Sequence, residues 1–564
     1  MRFRWSARPR ISEPHSPRRS LMPYSVRETI FMSSESFVPP NAENQTEVIA
    51  IHGADPEILA FAMAKYSRSA LSMRESLSEI SAQRAEQFLN TFYFQYGHRS
   101  IADLAHIAFA VERLSLLAAI TLVDESRWDG QERSTRYQNF LQSGWYFPDF
   151  SSDSQSAQLY SETLKNLFVA YQRVSTAVLD LLRSRVPCPE SMKPEAYERT
   201  LRARAFDVAR YMLPLATNTS LGQIVSARTL ESQVSRLLSH PAAEVRNLGA
   251  KLRDAAVGPA WNLNARSAQA FIDKLAALKD DSAAGLAAEA AHLFTREVRT
   301  APTLVKYAQP NEYLAKTRAE LAQAASDLLG DVPVNDAPLV DLVERTESLE
   351  VELAATLLYS AGHHPYRQIR DLMAGFPNAQ ILEIIEIGLR HRGKHDEALR
   401  AFHAGAALRF DILMDIGGFR DMHRHRRCTQ IIQNFTAQHG YETPGAGDLP
   451  GDIDILAEAG VLADYRSAIE AAHAASAQIA TGPAPEAAQS ALYLLPLATR
   501  VRALFKMDLA EAQYISELRS APAGHFSYRR VAWEMFLELE RQYPALARHI
   551  RVTDFTEPID LFQR

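Results

Sequence analysis

The sequence predicts a mixed α+β fold, largely helical, built as two homologous halves in tandem. Beyond Thr46, most of the chain carries apolar residues at helical spacing, as in Glu57–Arg68 and Ser78–Tyr96. The run Leu104–Val123 is apolar but ambiguous between helix and strand. The heptapeptide Tyr211-Met-Leu-Pro-Leu-Ala-Thr217 returns as Tyr493-Leu-Leu-Pro-Leu-Ala-Thr499, 282 residues later.

Other pairs fall in the same order with slowly drifting offsets. Tyr66-Ser67 matches Tyr359-Ser360, and Gly97-His98 can be set against Lys394-His395. Gln138-Asn139-Phe140 and Tyr146 match Gln433-Asn434-Phe435 and Tyr441, and Arg236 lies near the offset of Arg519. Collinear matches of this kind are what a duplicated and diverged domain leaves behind. The halves are therefore placed at 46–328 and 337–555, meeting near Gly330-Asp-Val-Pro-Val-Asn-Asp-Ala-Pro338, which reads as a linker.

With 564 residues the chain is too long for one ordinary core. A net charge of −6 argues against a general nucleic-acid binder, whose surface would be broadly basic. Only Cys188 and Cys428 occur, so no disulfide framework is expected, and no apolar run approaches a membrane span. A reducing, cytoplasmic protein is the reading. In residues 1–45, Arg2, Arg4, Arg8, Arg10, Arg18, Arg19 and Arg27 stand among Ser and Pro without an amphipathic helix. That stretch reads as a disordered tail, or as translation assigned upstream of Met22 or Met32.

Chemistry concentrates between Gly418 and Gln430. Seven of the nine residues from Arg420 to Cys428 are Arg, His or Asp, with Arg424-His425-Arg426 at the centre. Cations at this density repel one another unless an anion lies between them, and phosphate suits arginine's planar fork. A solvated basic helix end is the alternative. A second Arg-His-Arg, at Arg390-His391-Arg392, shows how little three letters carry alone. His363-His364 and His423 with His425 lack the carboxylate or cysteine that would complete a metal site, so no metal is expected.

Phe419–Thr429 resembles the signature of the flavin-dependent thymidylate synthases, the ThyX family: Arg-His-Arg, seven residues, then Ser, followed shortly by Arg-Tyr. Upstream, His98-Arg-Ser100-Ile-Ala-Asp103 is similar to that family's His-x-Ser-x-x-Glu-His loop, with Leu104 for the second His. The first half also keeps Glu132-Arg-Ser134-Thr-Arg136-Tyr137, Arg210-Tyr-Met-Leu-Pro214 and Ser226-Ala-Arg228-Thr-Leu230. Its own Arg-His-Arg has become Asp124-Glu125-Ser126. The second half keeps Arg424-His425-Arg426 and Leu518-Arg519. It has Asn434 and Thr436 where Ser and Arg should stand, or Thr429 and Ile431 in the register anchored on Gln-Asn-Phe. Leu492 replaces the Arg before Leu-Pro, Asp508-Leu-Ala510 replaces Asn-Ala-Arg, and Asp421 stands where the family often has Gln.

The losses are complementary, and the resemblance implies one composite site shared by both halves, with the reciprocal site dead. It implies reductive methylation of dUMP to dTMP with FAD, NADPH and methylenetetrahydrofolate. Arg519 is implied as the catalytic residue that stabilises charge developing on the pyrimidine. Glu132, Ser134, Arg136, Arg210 and Arg424 are implied to bind dUMP. Ser100, Arg228, Glu132, Arg424, His425 and Arg426 are implied to bind FAD. Family members are tetramers of single domains, so a homodimer forming a pseudo-tetramer is expected. The rival expectation is a non-catalytic relative that binds nucleotide or flavin. Cys428 is expected to be a small buried hydrophobe.

Overall fold

The computed structural model describes residues 55–65, 99–278, 280–305, 308–312, 314–316, 319, 338–343, 348–361, 366–390, 402, 408–445, 448, 453–557 and 560–562. The tail 1–45, the helix expected over Ser78–Tyr96, the pairs Tyr66-Ser67, Gly97-His98 and Lys394-His395, and the expected linker apart from Pro338 lie outside them. All described residues belong to one unit, Ala54–Arg564.

Helix α1 (Pro56–Lys65) and a 3₁₀ turn, Arg99–Asp103, precede strand β1 (His106–Ser115). Ser115 ends that strand and caps α2 (Leu116–Val123), its hydroxyl accepting from the Ala118 amide at 2.9 Å. The ambiguous run Leu104–Val123 is thus strand first and helix second, and the capping serine marks the change. Then come β2 (Asp129–Glu132), α3 (Ser154–Arg185), α4 (Pro194–Ala209), β3 (Asn218–Ser226), α5 (Ala227–Leu238) and α6 (Ala243–Val257). Helices α7 (Leu263–Ala276) and α8 (Asp281–Phe294) follow.

The second set begins with β4 (Val340–Leu342), α9 (Leu349–Ala361), α10 (Tyr366–Ala374) and α11 (Asn378–Leu389). The amphipathic run from Leu408 is strand β5 (Leu408–Asp415), because Leu408, Phe410, Ile412 and Met414 alternate inward with period two. It leads into α12 (Ile416–Met422), β6 (Thr429–Ile432), α13 (Ile455–Glu458), α14 (Leu462–Ala480), α15 (Ala487–Leu492), β7 (Arg500–Met507), α16 (Leu509–Ser520), α17 (Phe526–Gln542) and α18 (Pro544–Ala547).

Both halves run strand, capped helix, short strand, long helix, helix, strand, capped helix, helix. The sheets are antiparallel, in the order β1-β3-β2 and β4-β5-β7-β6, so the second is the first with one strand added. The two capped helices start at Ser115 and Ser226 in the first half, and at Asp415 and Asp508 in the second. Serine and aspartate accept the same amide, so the motif survives the exchange.

The returning heptapeptides explain why they have been kept. They pair with each other, Leu215 N to Leu495 O at 2.9 Å and Leu497 N to Leu213 O at 2.9 Å. Each bond is the other's image under exchange of the halves, which defines a pseudo-two-fold axis between Pro214 and Pro496. One contiguous hydrophobic core runs through both halves around this axis.

The axis also fixes the register. Arg133 N bonds Ser220 O as Gln433 N bonds Arg502 O, and Asn218 N bonds Gly144 O as Arg500 N bonds Gly440 O. Gln433 is therefore the counterpart of Arg133, not of Gln138. The intervening loop is four residues shorter in the second half, which brings an unrelated Gln-Asn-Phe into apparent alignment. Asn434 stands for Ser134 and Thr436 for Arg136, as in the first of the two registers.

Candidate functional site

Helix α12 ends at the junction of the halves and brings Arg420, Asp421 and Arg424 to one end. Facing them from the first half are the β2 strand and the end of α4. Helix α4 presents Asp207 in its last turn and Arg210 just beyond its end, where a cation suits the helix dipole. From the second half come α16, with Glu511 in its first turn and Arg519 in its last, and α17, with Tyr528.

Asp421 lies at the centre. Its Oδ1 accepts from Arg424 Nη2 at 2.7 Å and its Oδ2 from Arg210 Nη1 at 3.0 Å. Burial would raise its pKa, but Arg210, Arg424, Arg136 and Arg519 outweigh that and hold the carboxyl well below the ordinary range. Of the four arginines expected to converge, Arg210 and Arg424 meet on this carboxylate, while Arg136 and Arg519 meet over the Tyr528 ring, each pair drawing one member from each half. Arg210 is 1% exposed, lies against the Gly417 backbone, and leaves Nε and Nη2 without a partner. A Cβ at Gly417 would meet the Arg210 guanidinium at an ordinary 3.5 Å but Asp415 Oδ1 at a tight 3.1 Å, so the glycine makes room for the capping carboxylate.

Arg136 is also buried. Its Nε and Nη2 hold Asp207 at 2.7 and 3.2 Å, Nη1 donates to Tyr528 Oη at 3.0 Å, and Nη2 also reaches Ala523 O. The Tyr528 ring has the Arg136 guanidinium 5.8 Å from its centroid and that of Arg519 at 5.4 Å. Arg519 Nε donates to His425 Nε2 at 2.7 Å, while His425 Nδ1 faces Glu511 at 3.6 Å. Burial lowers the His425 pKa, reinforced by Arg519 and Arg424 and opposed by Glu511, so the ring is neutral and can accept from Arg519. Glu511, His425 and Arg519 form a relay that fixes the guanidinium.

Glu132 pairs with buried Arg420 at 2.8 Å and keeps Oε1 without a partner. The Ser134 hydroxyl accepts from the Arg136 amide at 3.2 Å and shapes the turn. Arg426 lies 4.6 Å over the ring of buried Trp128, whose Nε1 donates to Gln223. Ser100 falls in the 3₁₀ turn with Asp103, whose carboxylate holds Arg228 at 2.9 Å and Arg127 at 3.4 Å. Cys428 is buried and its thiol pKa is pushed up by burial.

Sequence reasoning passed over Asp207, Glu511 and Tyr528. Only Asp207 left a signal, three residues after Arg204 on the same helix face. At the reciprocal positions Asp124 faces His423 at 3.2 Å and Arg236 holds Glu125 at 3.0 Å. By the pseudo-two-fold register Leu492 stands for Arg210, Thr436 for Arg136 and Leu237 for Arg519, so that set has lost its cations. A cavity of about 160 Å³ lined by Tyr146, Ala242, Glu486, Gln489, Ser490 and Tyr493 lies apart from the arginines.

The chain is thus a duplicated α+β protein in which both halves contribute arginines to one cluster at their junction. More particularly, this chain belongs to the thymidylate synthase complementing protein family, whose model matches residues 47–258 and 341–545. It is similar to a UPF0159 protein of Chlamydia muridarum, 26% identical over 538 residues, covering 89% of this chain and 91% of the relative. A UPF0159 protein of Chlamydia pneumoniae is 26% identical over 545 residues, covering 90% and 91%. One from Thermoplasma acidophilum is 24% identical over 535 residues, covering 87% and 94%. Among the described residues no helix is long and apolar enough to cross a membrane.

Proposed function

We propose that the chain is a flavin-dependent thymidylate synthase with one working site, converting dUMP to dTMP with methylenetetrahydrofolate and NADPH. The observation that carries this reading is that Arg210 from one half and Arg424 from the other share the Asp421 carboxylate, as Arg136 and Arg519 share the Tyr528 ring. Six more residues, Ser100, Glu132, Ser134, Arg228, His425 and Arg426, complete the proposed site. Two such chains pair as a homodimer, a pseudo-tetramer of half-chains, in the cytoplasm.

The donor set suits FAD. Arg424 and Arg426 each keep a buried Nε without a partner, and Arg426 sits 4.6 Å over the Trp128 ring, leaving donors that suit a diphosphate. Bound there, the flavin would supply the hydride chemistry. Arg228, held by Asp103, lies beside the turn that carries Ser100. His425 serves indirectly, since both of its ring nitrogens are engaged.

The protein's own part is placement and charge. Arg424 and Arg210 offer N–H groups to a phosphate, with Ser134 and Glu132 shaping the β2 end beside them. The Arg519 guanidinium, held by His425, stabilises negative charge as it develops on the pyrimidine ring. Arg136, tied to Asp207, keeps Tyr528 in place between two guanidiniums. Purified protein is expected to carry a flavin absorption spectrum, and the gene to rescue a thymidine-requiring strain. Colourless protein that gives no rescue refutes the proposal and favours the non-catalytic relative.

A further inference from the structure

Asp421 sits where an anion was expected. Its two oxygens occupy Arg424 Nη2 and Arg210 Nη1, donors that the reading above assigns to a nucleotide phosphate. Its position in the last turn of α12 is one where the helix dipole disfavours a carboxylate, so the arginines account for its being there. It leaves Arg210 Nε and Nη2 and Arg424 Nε without acceptors, more donors than a carboxylate can use. A phosphate monoester brings three acceptor oxygens and nearly two charges. It cannot share this arginine pair with Asp421, because like charges a few ångströms apart repel strongly in a partly buried site.

We propose that Asp421 is a built-in counter-ion that sets the specificity of this site, so that a phosphate-bearing ligand enters only by exchange with it. Asp421 is 15% exposed and Arg424 35%, so the carboxylate has an open side toward which it can turn. The proposal rests on the nucleotide reading for the identity of the ligand, while the exchange itself concerns phosphate alone. Affinity for a phosphate group in the parent protein is low because Asp421 must first be displaced. A neutral nucleoside meets no such competition.

The test is calorimetric titration of the parent, D421N and D421Q with inorganic phosphate, dUMP and deoxyuridine. Phosphate and dUMP should bind the variants at least about tenfold more tightly than the parent, with deoxyuridine unchanged. The variants should also melt lower than the parent in phosphate-free buffer and gain more from added phosphate. A variant that does not fold in phosphate-free buffer is refolded with phosphate, where recovery supports the exchange. Variants that gain no phosphate affinity, or that fold no better with phosphate than without, overturn it. If phosphate binds the variants more tightly but dUMP binds no form of the protein, the exchange stands and the nucleotide reading fails. If dUMP binds the parent and binds the variants no better, the exchange fails and the nucleotide reading stands.

Discussion

Arg136 and Arg424 look alike in the motif but should respond in opposite ways to removal. Arg136 is buried, bound at two points to Asp207, which is itself buried, and donates further to Tyr528 and Ala523. Replacing it with Ala leaves the buried Asp207 charge with Arg204, at 3.8 Å, as its remaining cation, a loss of about 3 kcal/mol of folding stability. Replacing both partners with apolar residues, R136M with D207L, should recover only part of that loss, since buried Arg204 then loses its carboxylate neighbour. Arg424 is 35% exposed and pairs with Asp421 three residues away. Its loss should cost under about 1 kcal/mol of stability, yet weaken dUMP binding by roughly 1.5–3 kcal/mol. Urea unfolding gives the first quantity and calorimetry the second. If R136A is as stable as the parent, or R424A loses stability but not affinity, the division between structural and ligand-facing arginines is wrong.

Two further outcomes follow from buried carboxylates. E511Q removes the charge that orients His425, so kcat for dTMP formation should fall about tenfold while KM for dUMP holds; a rise in KM at unchanged kcat would point instead to a binding role. Burial pushes the Asp415 pKa up to about 6, against an ordinary 3.8, and Arg210 only partly offsets it. A raised carboxyl contributes stability that is full below about pH 4 and lost as pH climbs through 6, a change of about 3 kcal/mol. Urea unfolding between pH 4 and 7 should show this decline in the parent and little of it in D415N, which keeps a side-chain oxygen for the Gly418 amide.

The duplication was legible because the heptapeptides bond to each other across the axis. Each backbone must present the same edge, and Pro214 and Pro496 face one another there. The Arg-His-Arg cluster was legible because its charge is local in sequence. The Gln-Asn-Phe register was not, since a four-residue loop difference leaves no trace in composition. Leu104–Val123 hid its boundary because one serine both closes a strand and opens a helix. Asp207 and Tyr528 act on Arg136 from 71 and 392 residues away, and Glu511 on His425 from 86, and no spacing rule spans such distances.

The paired heptapeptides have a consequence for how the site behaves on dilution. A site shared between separate subunits exists only while the subunits are associated, so it disappears below their dissociation constant. Here both contributors to the Leu215–Leu495 seam are covalently joined, and each meets the other at an effective concentration set by the chain, independent of how much protein is present. Asp421 therefore meets Arg210 in a single isolated molecule, and neither half needs to remain able to pair with a copy of itself.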